Sequence, residues 1–194
     1  MPRMRTAVGA VTAAAVVGVL IAALTTGGGS SRVRASGPFS WLAPSTPPAG
    51  WKVARTLAGA VLAYPPGWRS IVTDPGSASV ALVGKGGLIE GYLNATPKGG
   101  PETLADWTRF RPQHNRQEGD RRVRLLAGTS SASFRSGHGS CVIDSYVTSR
   151  AAYREIACLV SGPTSSAVVV AAAPSALWDE RAATLQRAIS SFLA

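Results

Sequence analysis

Residues 139–173 read GSCVIDSYVTSRAAYREIACLVSGPTSSAVVVAAA. The first two segments of this stretch alternate apolar and polar residues, as half-buried strands do. Successive strand side chains point to opposite sides. Cys141, Ile143 and Val147 therefore share one face of the first segment, and Ile156, Cys158 and Val160 share one face of the second. A turn through residues 149–152 lets the two pair as a hairpin with both sulfurs on the same apolar face, within bonding reach. A disulfide is the favoured reading, with two buried free thiols as the alternative. The third segment, AVVVAAA over 167–173, is apolar on both faces. That is the mark of a central strand in a sheet covered on both sides.

Working outward, the clearest helix follows. Trp178, Ala182, Leu185, Ile189 and Phe192 form one apolar stripe at helical spacing, Asp179 and Glu180 sit in the first turn, and Ser175 is placed to cap it. Upstream, 51–57, 59–64, 68–72, 78–83 and 88–93 read as strands. Pro66-Gly67 suits the centre of a type II turn, and Gly84-Lys85-Gly86-Gly87 reads as a hairpin connection. A helix is predicted from Pro101, carrying Leu104, Trp107 and Phe110 or Arg111, and ending at Pro112. A basic loop over 114–122 and a strand over 123–127 complete the chain. The order strands, helix, strands, helix predicts an α+β sandwich, an antiparallel sheet flanked by helices.

The chain has 194 residues, of which 45% are hydrophobic and 15% charged, with a formal net charge of +10. Such hydrophobicity excludes a disordered polar chain. Two cysteines exclude a disulfide-dense mini-protein, and a single long apolar run excludes a multi-pass membrane protein. That run, AVGAVTAAAVVGVLIAAL over 7–24, follows Arg3 and Arg5. Residues 1–26 therefore read as a signal-anchor, an N-terminal apolar helix, or as a cleaved signal peptide. Residues 27–50 read as a Gly/Ser/Pro-rich tether interrupted by Phe39, Trp41 and Leu42, which pack back onto the domain or dip into the lipid interface. Residues 51–194 are the domain. Export with the domain outside, anchored through 7–24 or released, suits a Cys141–Cys158 disulfide.

Tyr64-Pro65-Pro66-Gly67-Trp68 after a short strand resembles the opening signature of PsbP-like proteins. The later pattern of Cys141, Tyr146 and Cys158, then Val168 to Pro174, Trp178 and the ending from Leu185 to Phe192, is similar to the LpqN/LpqT-type exported proteins of mycobacteria and their relatives. The resemblance covers residues 40–194. It implies a PsbP-like α/β/α sandwich and a non-enzymatic, envelope-associated protein, and it brings no catalytic residues. Those relatives are typically lipid-anchored, and this chain departs from them in having no cysteine directly after its apolar run.

The residues offer little conventional chemistry. There is no Gly-x-Ser-x-Gly, and Gly84-Lys85-Gly86-Gly87 lacks the spacing of a phosphate loop. His138, Ser140 and Asp144 are the residue types of a hydrolase triad on one strand face, and an envelope hydrolase using them is the alternative function. Only His114 and His138 are histidines, far apart in sequence, so no metal and no cofactor are expected. Asn94-Ala95-Thr96 matches the glycosylation sequon. The strongest signal is a basic group: Arg109, Arg111, Arg116, Arg121, Arg122 and Arg124. Guanidinium forks bind phosphate and carboxylate. The group reads as a patch for an anionic lipid, wall glycan or acidic protein, or else as a solvated loop. Nucleic acid is not expected. Trp68, Trp107 and Trp178 are expected in the core, and Trp41 or Trp51 beside an exposed groove. The composite expectation is a non-catalytic extracytoplasmic binding or scaffolding module, its ligand a protein partner or an amphiphilic envelope molecule.

Overall fold

The centre of the fold is the apolar strand at 167–173. In the computed structural model, which describes residues 37–194, the elements are β1 (Lys52–Arg55), β2 (Val61–Tyr64), β3 (Arg69–Ser70), β4 (Ala78–Val83), β5 (Ile89–Pro97), α1 (Trp107–Gln117), β6 (Arg121–Phe134), β7 (Gly137–Val147), β8 (Ala152–Ser161), β9 (Ser166–Pro174) and α2 (Trp178–Ser190). The apolar run at 7–24 and the tether as far as residue 36 lie outside the described residues. Strands β1 and β2 pair with each other, and the rest form one antiparallel sheet in the order β3-β4-β5-β9-β8-β7-β6. β9 holds the middle position, and both its faces are covered.

On one face, Ala167, Val169, Ala171 and Ala173 of β9 join Trp178, Leu185, Ala188, Ile189 and Phe192 in the larger core. Short alanine side chains let α2 lie close to the sheet. The β1–β2 hairpin extends this layer through Leu62 and Tyr64. On the other face, Val170 packs with Trp107, Val142, Ala157 and Leu159 beneath α1. Cys141 and Cys158 stand directly opposite each other in the β7–β8 register, 4.1 Å apart at Cα, and form a disulfide within the larger core. The connection runs through residues 148–151, with Thr148 N–H donating to the Ala151 carbonyl at 3.0 Å.

The Tyr64-to-Trp68 segment makes the expected turn. Gly67 has φ 87°, and the Trp68 amide donates back to the Pro65 carbonyl. The turn delivers the buried Trp68 indole onto Gly91 of β5, where an added Cβ would come within 2.6 Å of the ring. The segment therefore locks the hairpin to the sheet.

Four local expectations are corrected. α1 begins at Trp107, after a turn in which Asp106 N–H donates to the Thr103 carbonyl, and it runs through Pro112 to Gln117. A proline inside a helix removes one N–H bond and crowds the preceding turn, at a cost of ~3 kcal/mol. Pro112 is buried on the same helix as Trp107 and Asn115, and packing of that face offsets the loss. The first part of the basic stretch at 114–122 is thus helical. β6 runs over 14 residues, far beyond 123–127. It is the edge strand, exposed along most of its length and interrupted by three register shifts, so its Gly, Thr and Ser residues give no clear alternation. Ser175 opens a short 3-10 turn over Ser175–Leu177, and its side chain does not cap α2.

Residues 37–50 belong with the domain. Phe39, Trp41, Leu42 and Trp51 pack against the larger core, and Ser45 N–H donates to the Ser190 carbonyl at 3.0 Å. Apolar burial by these side chains overrides the loop-like composition around them. Among the described residues no helix is long and apolar enough to cross a membrane.

The cross-strand disulfide closes a loop with a sequence separation of 17. Replacing both cysteines by alanine is expected to lower the free energy of unfolding by about 3 kcal/mol, measured by urea titration beside the parent chain.

Candidate functional site

α1 lies mainly over β6, β7 and β8, and its Trp107 reaches Val170 of β9. Beyond β9 the same face carries no helix over β5, and a groove of about 590 Å³ lies between α1 and that strand. One wall is α1, where Trp107, Phe110 and His114 follow at helical spacing and stack in succession with ring centroids 5.9 and 5.7 Å apart. Asp74, Pro97 and residues 99–102 also line the groove. The floor combines Val168 and Val170 with Tyr92, Asn94, Thr96 and Glu155.

The polar part of the floor is tied to itself. Ser79 Oγ donates to Asn94 Oδ1 at 2.8 Å, Asn94 Nδ2 donates to Thr96 Oγ1 at 3.0 Å, and the Ser77 and Thr73 hydroxyls extend the chain at 3.0 and 2.6 Å. Asn94 is held inside this network, an arrangement that does not suit a glycosylation acceptor.

An ion pair anchors the inner end. Arg111 donates from Nε to Glu155 Oε1 at 2.7 Å and from Nη2 to Oε2 at 2.9 Å, and the Tyr146 hydroxyl donates to Oε2 at 3.2 Å. Such a bidentate fork is the strong form of the interaction. Burial opposes the charge on Arg111, but Glu155 overcomes it and the guanidinium pKa is raised. The Tyr146 phenol is pushed up by burial and then by Glu155, so it remains a donor. Trp107 Nε1 donates to the Ala157 carbonyl at 3.0 Å and fixes α1 over β8.

Cross-strand register continues the polar row. Tyr92 stands opposite Ala172, Ala172 opposite Glu155, and Glu155 opposite Asp144. Asp144 is fully buried, accepts from Asn115 Nδ2 at 3.2 Å, and leaves Oδ1 without a partner. Burial first and Glu155 second push its pKa up to about 8, so at neutral pH it is mostly protonated.

The basic group divides. Arg111 is buried against Glu155 and is no part of a surface patch, because its charge is neutralised by that bidentate partner inside the fold. Arg109 is exposed and pairs with Asp106 at 2.7 Å. Arg116 donates to the Val123 carbonyl at 3.1 Å and Arg121 to the Thr148 carbonyl at 3.5 Å. Arg122 and Arg124 border a cleft shared with Tyr146 and Tyr153.

The three residues named for a hydrolase triad are not brought together. His138, Ser140 and Asp144 all lie on β7, and a strand rise of ~3.4 Å per residue puts His138 about 20 Å from Asp144. The Ser140 hydroxyl donates to the Thr129 carbonyl at 3.0 Å, and His138 is exposed at the far end of the strand. No triad forms.

Sequence reading passed over Glu155, Tyr92 and the Trp107–Phe110–His114 ladder. Glu155 carried a usable signal: it shares strand parity with Ala157 and Leu159, which are buried. A lone carboxylate on a buried face requires a partner.

No protein-family model and no curated protein matches the chain. Among solved structures it is similar to the solution structure of cyanobacterial PsbP from Synechocystis, at 16% identity and a TM-score of 0.55, over 75% of this chain and 92% of that one. The fold is PsbP-like. A protein of unknown function from Pseudomonas aeruginosa aligns at 11% identity and a TM-score of 0.50, over 74% and 96% of the two chains. LpqN, described as involved in cell envelope biogenesis of Mycobacterium tuberculosis, aligns at 11% identity and a TM-score of 0.42, over 74% and 89%. At these identities the likeness is one of fold.

Two outcomes follow from the buried charges. Arg111→Met strands Glu155 and is expected to destabilise the domain by ~3–5 kcal/mol, read from denaturant titration. Asp144 binds its proton more tightly in the native state than at its ordinary value of 3.8. Stability should therefore decline as pH rises from about 4 toward 8 and level off above. Asp144→Asn, an isostere of the protonated form, should flatten most of that slope in melting temperatures taken across the range.

Proposed function

We propose that this chain is a non-catalytic binding module of the cell envelope, exported through residues 1–26, of the same broad kind as the LpqN/LpqT-type proteins. Its ligand is an amphiphilic molecule held in the groove beside α1. The observation that carries this reading is the mixed lining: Val168, Val170 and Phe110 offer an apolar strip beside the hydrogen-bonding Tyr92, Asn94 and Thr96. Small-molecule sites combine a largely apolar surface with a few placed polar groups in this way.

Two further points support binding over catalysis. The serine, threonine and asparagine side chains of the floor bond mainly to one another. The buried Arg111–Glu155 pair is neutralised within the protein, so it is not poised as an acid, base or nucleophile. The internal disulfide suits an oxidising compartment.

Titration of the full chain with lysophosphatidylcholine below its micellar concentration is expected to change tryptophan emission saturably, through Trp107. Val168→Lys should weaken that response at least tenfold, on the order of 1.4 kcal/mol. Undiminished binding by the variant removes the groove from the reading. Recovery of the chain in the cytoplasmic fraction of its own cell removes the envelope.

A further inference from the structure

We propose that the end of the sheet where β6 begins and β7 turns into β8 docks on an anionic lipid bilayer. The proposal rests on the envelope reading for its biological setting, though not for its geometry.

Among the described residues, Arg109, Arg111 and Arg181 each face a carboxylate and ten arginines face none, five of which are Arg116, Arg121, Arg122, Arg124 and Arg150. These five gather at one place. Arg116 reaches the Val123 carbonyl on β6, and Arg121 reaches Thr148 in the β7–β8 turn. Arg150 stands in that same turn, its amide on Thr148 Oγ1 at 3.0 Å. Arg122 and Arg124 border one cleft, of about 270 Å³, and Arg150 borders another, of about 340 Å³. Tyr146 and Tyr153, stacked at 5.9 Å, line both clefts. The charges thus ring a tyrosine pair. Glu118 and Asp120 are the carboxylates adjoining this stretch of chain.

Three features favour a bilayer over a soluble anion. The guanidiniums are spread around a rim instead of converging on one point, which suits many headgroups at once. Leu125 and Leu126 are 47% and 46% exposed directly after the arginines, apolar surface that a free phosphate would leave unused. Tyrosine favours the boundary between water and acyl chains. Arg122 adds a fourth observation: it has φ 54°, the left-handed region, and no other non-glycine residue among those described shares it. Backbone strain of this kind collects at sites of interaction.

The test uses the full chain with phosphatidylcholine vesicles and with vesicles in which about a third of the lipid is phosphatidylglycerol, so that any insertion by residues 7–24 is common to both. Hydrogen exchange over 121–126 and 148–152 is expected to slow several-fold in the anionic vesicles alone. Arg122→Gln/Arg124→Gln should abolish that slowing while β8 and β9 exchange as in the parent, which shows that the variant is folded. Equal exchange in both vesicle types, or slowing that survives in the variant, overturns the proposal. Slowing by inorganic phosphate with neutral vesicles also overturns it, in favour of a soluble anion. The vesicle result does not depend on the compartment found by fractionation, so failure of the envelope reading and failure of this surface are told apart.

Discussion

Strand β9 is buried on both faces, and this constraint organises the domain. Ala167, Val169, Ala171 and Ala173 face α2, and Val168 and Val170 face α1. A strand apolar on both sides has no stable place at a sheet edge, and β9 sits inside with three strands on each side. The flanking strands need only one well-covered face each and can carry polar residues elsewhere. The long, irregular β6 at the rim and the Ser/Thr/Asn ladder on β4 and β5 are both consequences of distance from β9.

Unequal coverage of the two faces creates the functional surface. α2, the β1–β2 hairpin and residues 37–42 together cover one side. α1 covers the other, over β6 to β8 and as far as Val170 of β9. The uncovered half becomes the groove, and the polar groups along its floor must be satisfied without help from a packed layer. They bond to one another, and Glu155 takes Arg111 from the helix. This buried pair contributes little net stability, because desolvation offsets most of the Coulombic gain. Its role is positional, since it fixes where α1 stops and the groove begins. Asp144 is the unfinished part of the arrangement, a carboxyl with one unpartnered oxygen that relieves its burial by keeping a proton.

The fold was largely legible because burial patterns are written locally. The β7–β8 hairpin, the doubly apolar β9 and the α2 stripe all follow from side-chain periodicity in a short window, and the turn at Gly67 from its residue type. Errors fell where a local rule met a tertiary override. Pro112 suggests a stop, yet the packing of α1 carries the helix through it. The Gly/Thr/Ser-rich half of β6 suggests a loop, yet pairing with β7 supplies the missing order. The candidate site was far less legible. Arg111 looked like its basic neighbours in the sequence, and only its position opposite Glu155, 44 residues away, separates it from them.

By itself, then, the sequence determined most of the strands and the α2 stripe, which strand is central, and that two cysteines share a face. Each of these depends on the alternation of side chains within a few residues, which the chain carries wherever it goes. Only the tertiary structure decided that Glu155 meets Arg111, that His138, Ser140 and Asp144 stay apart, and that five unpaired arginines gather around Tyr146 and Tyr153. Those outcomes depend on strand register and on how far α1 reaches across the sheet. Both are set by packing between residues distant in the chain, which periodicity does not encode.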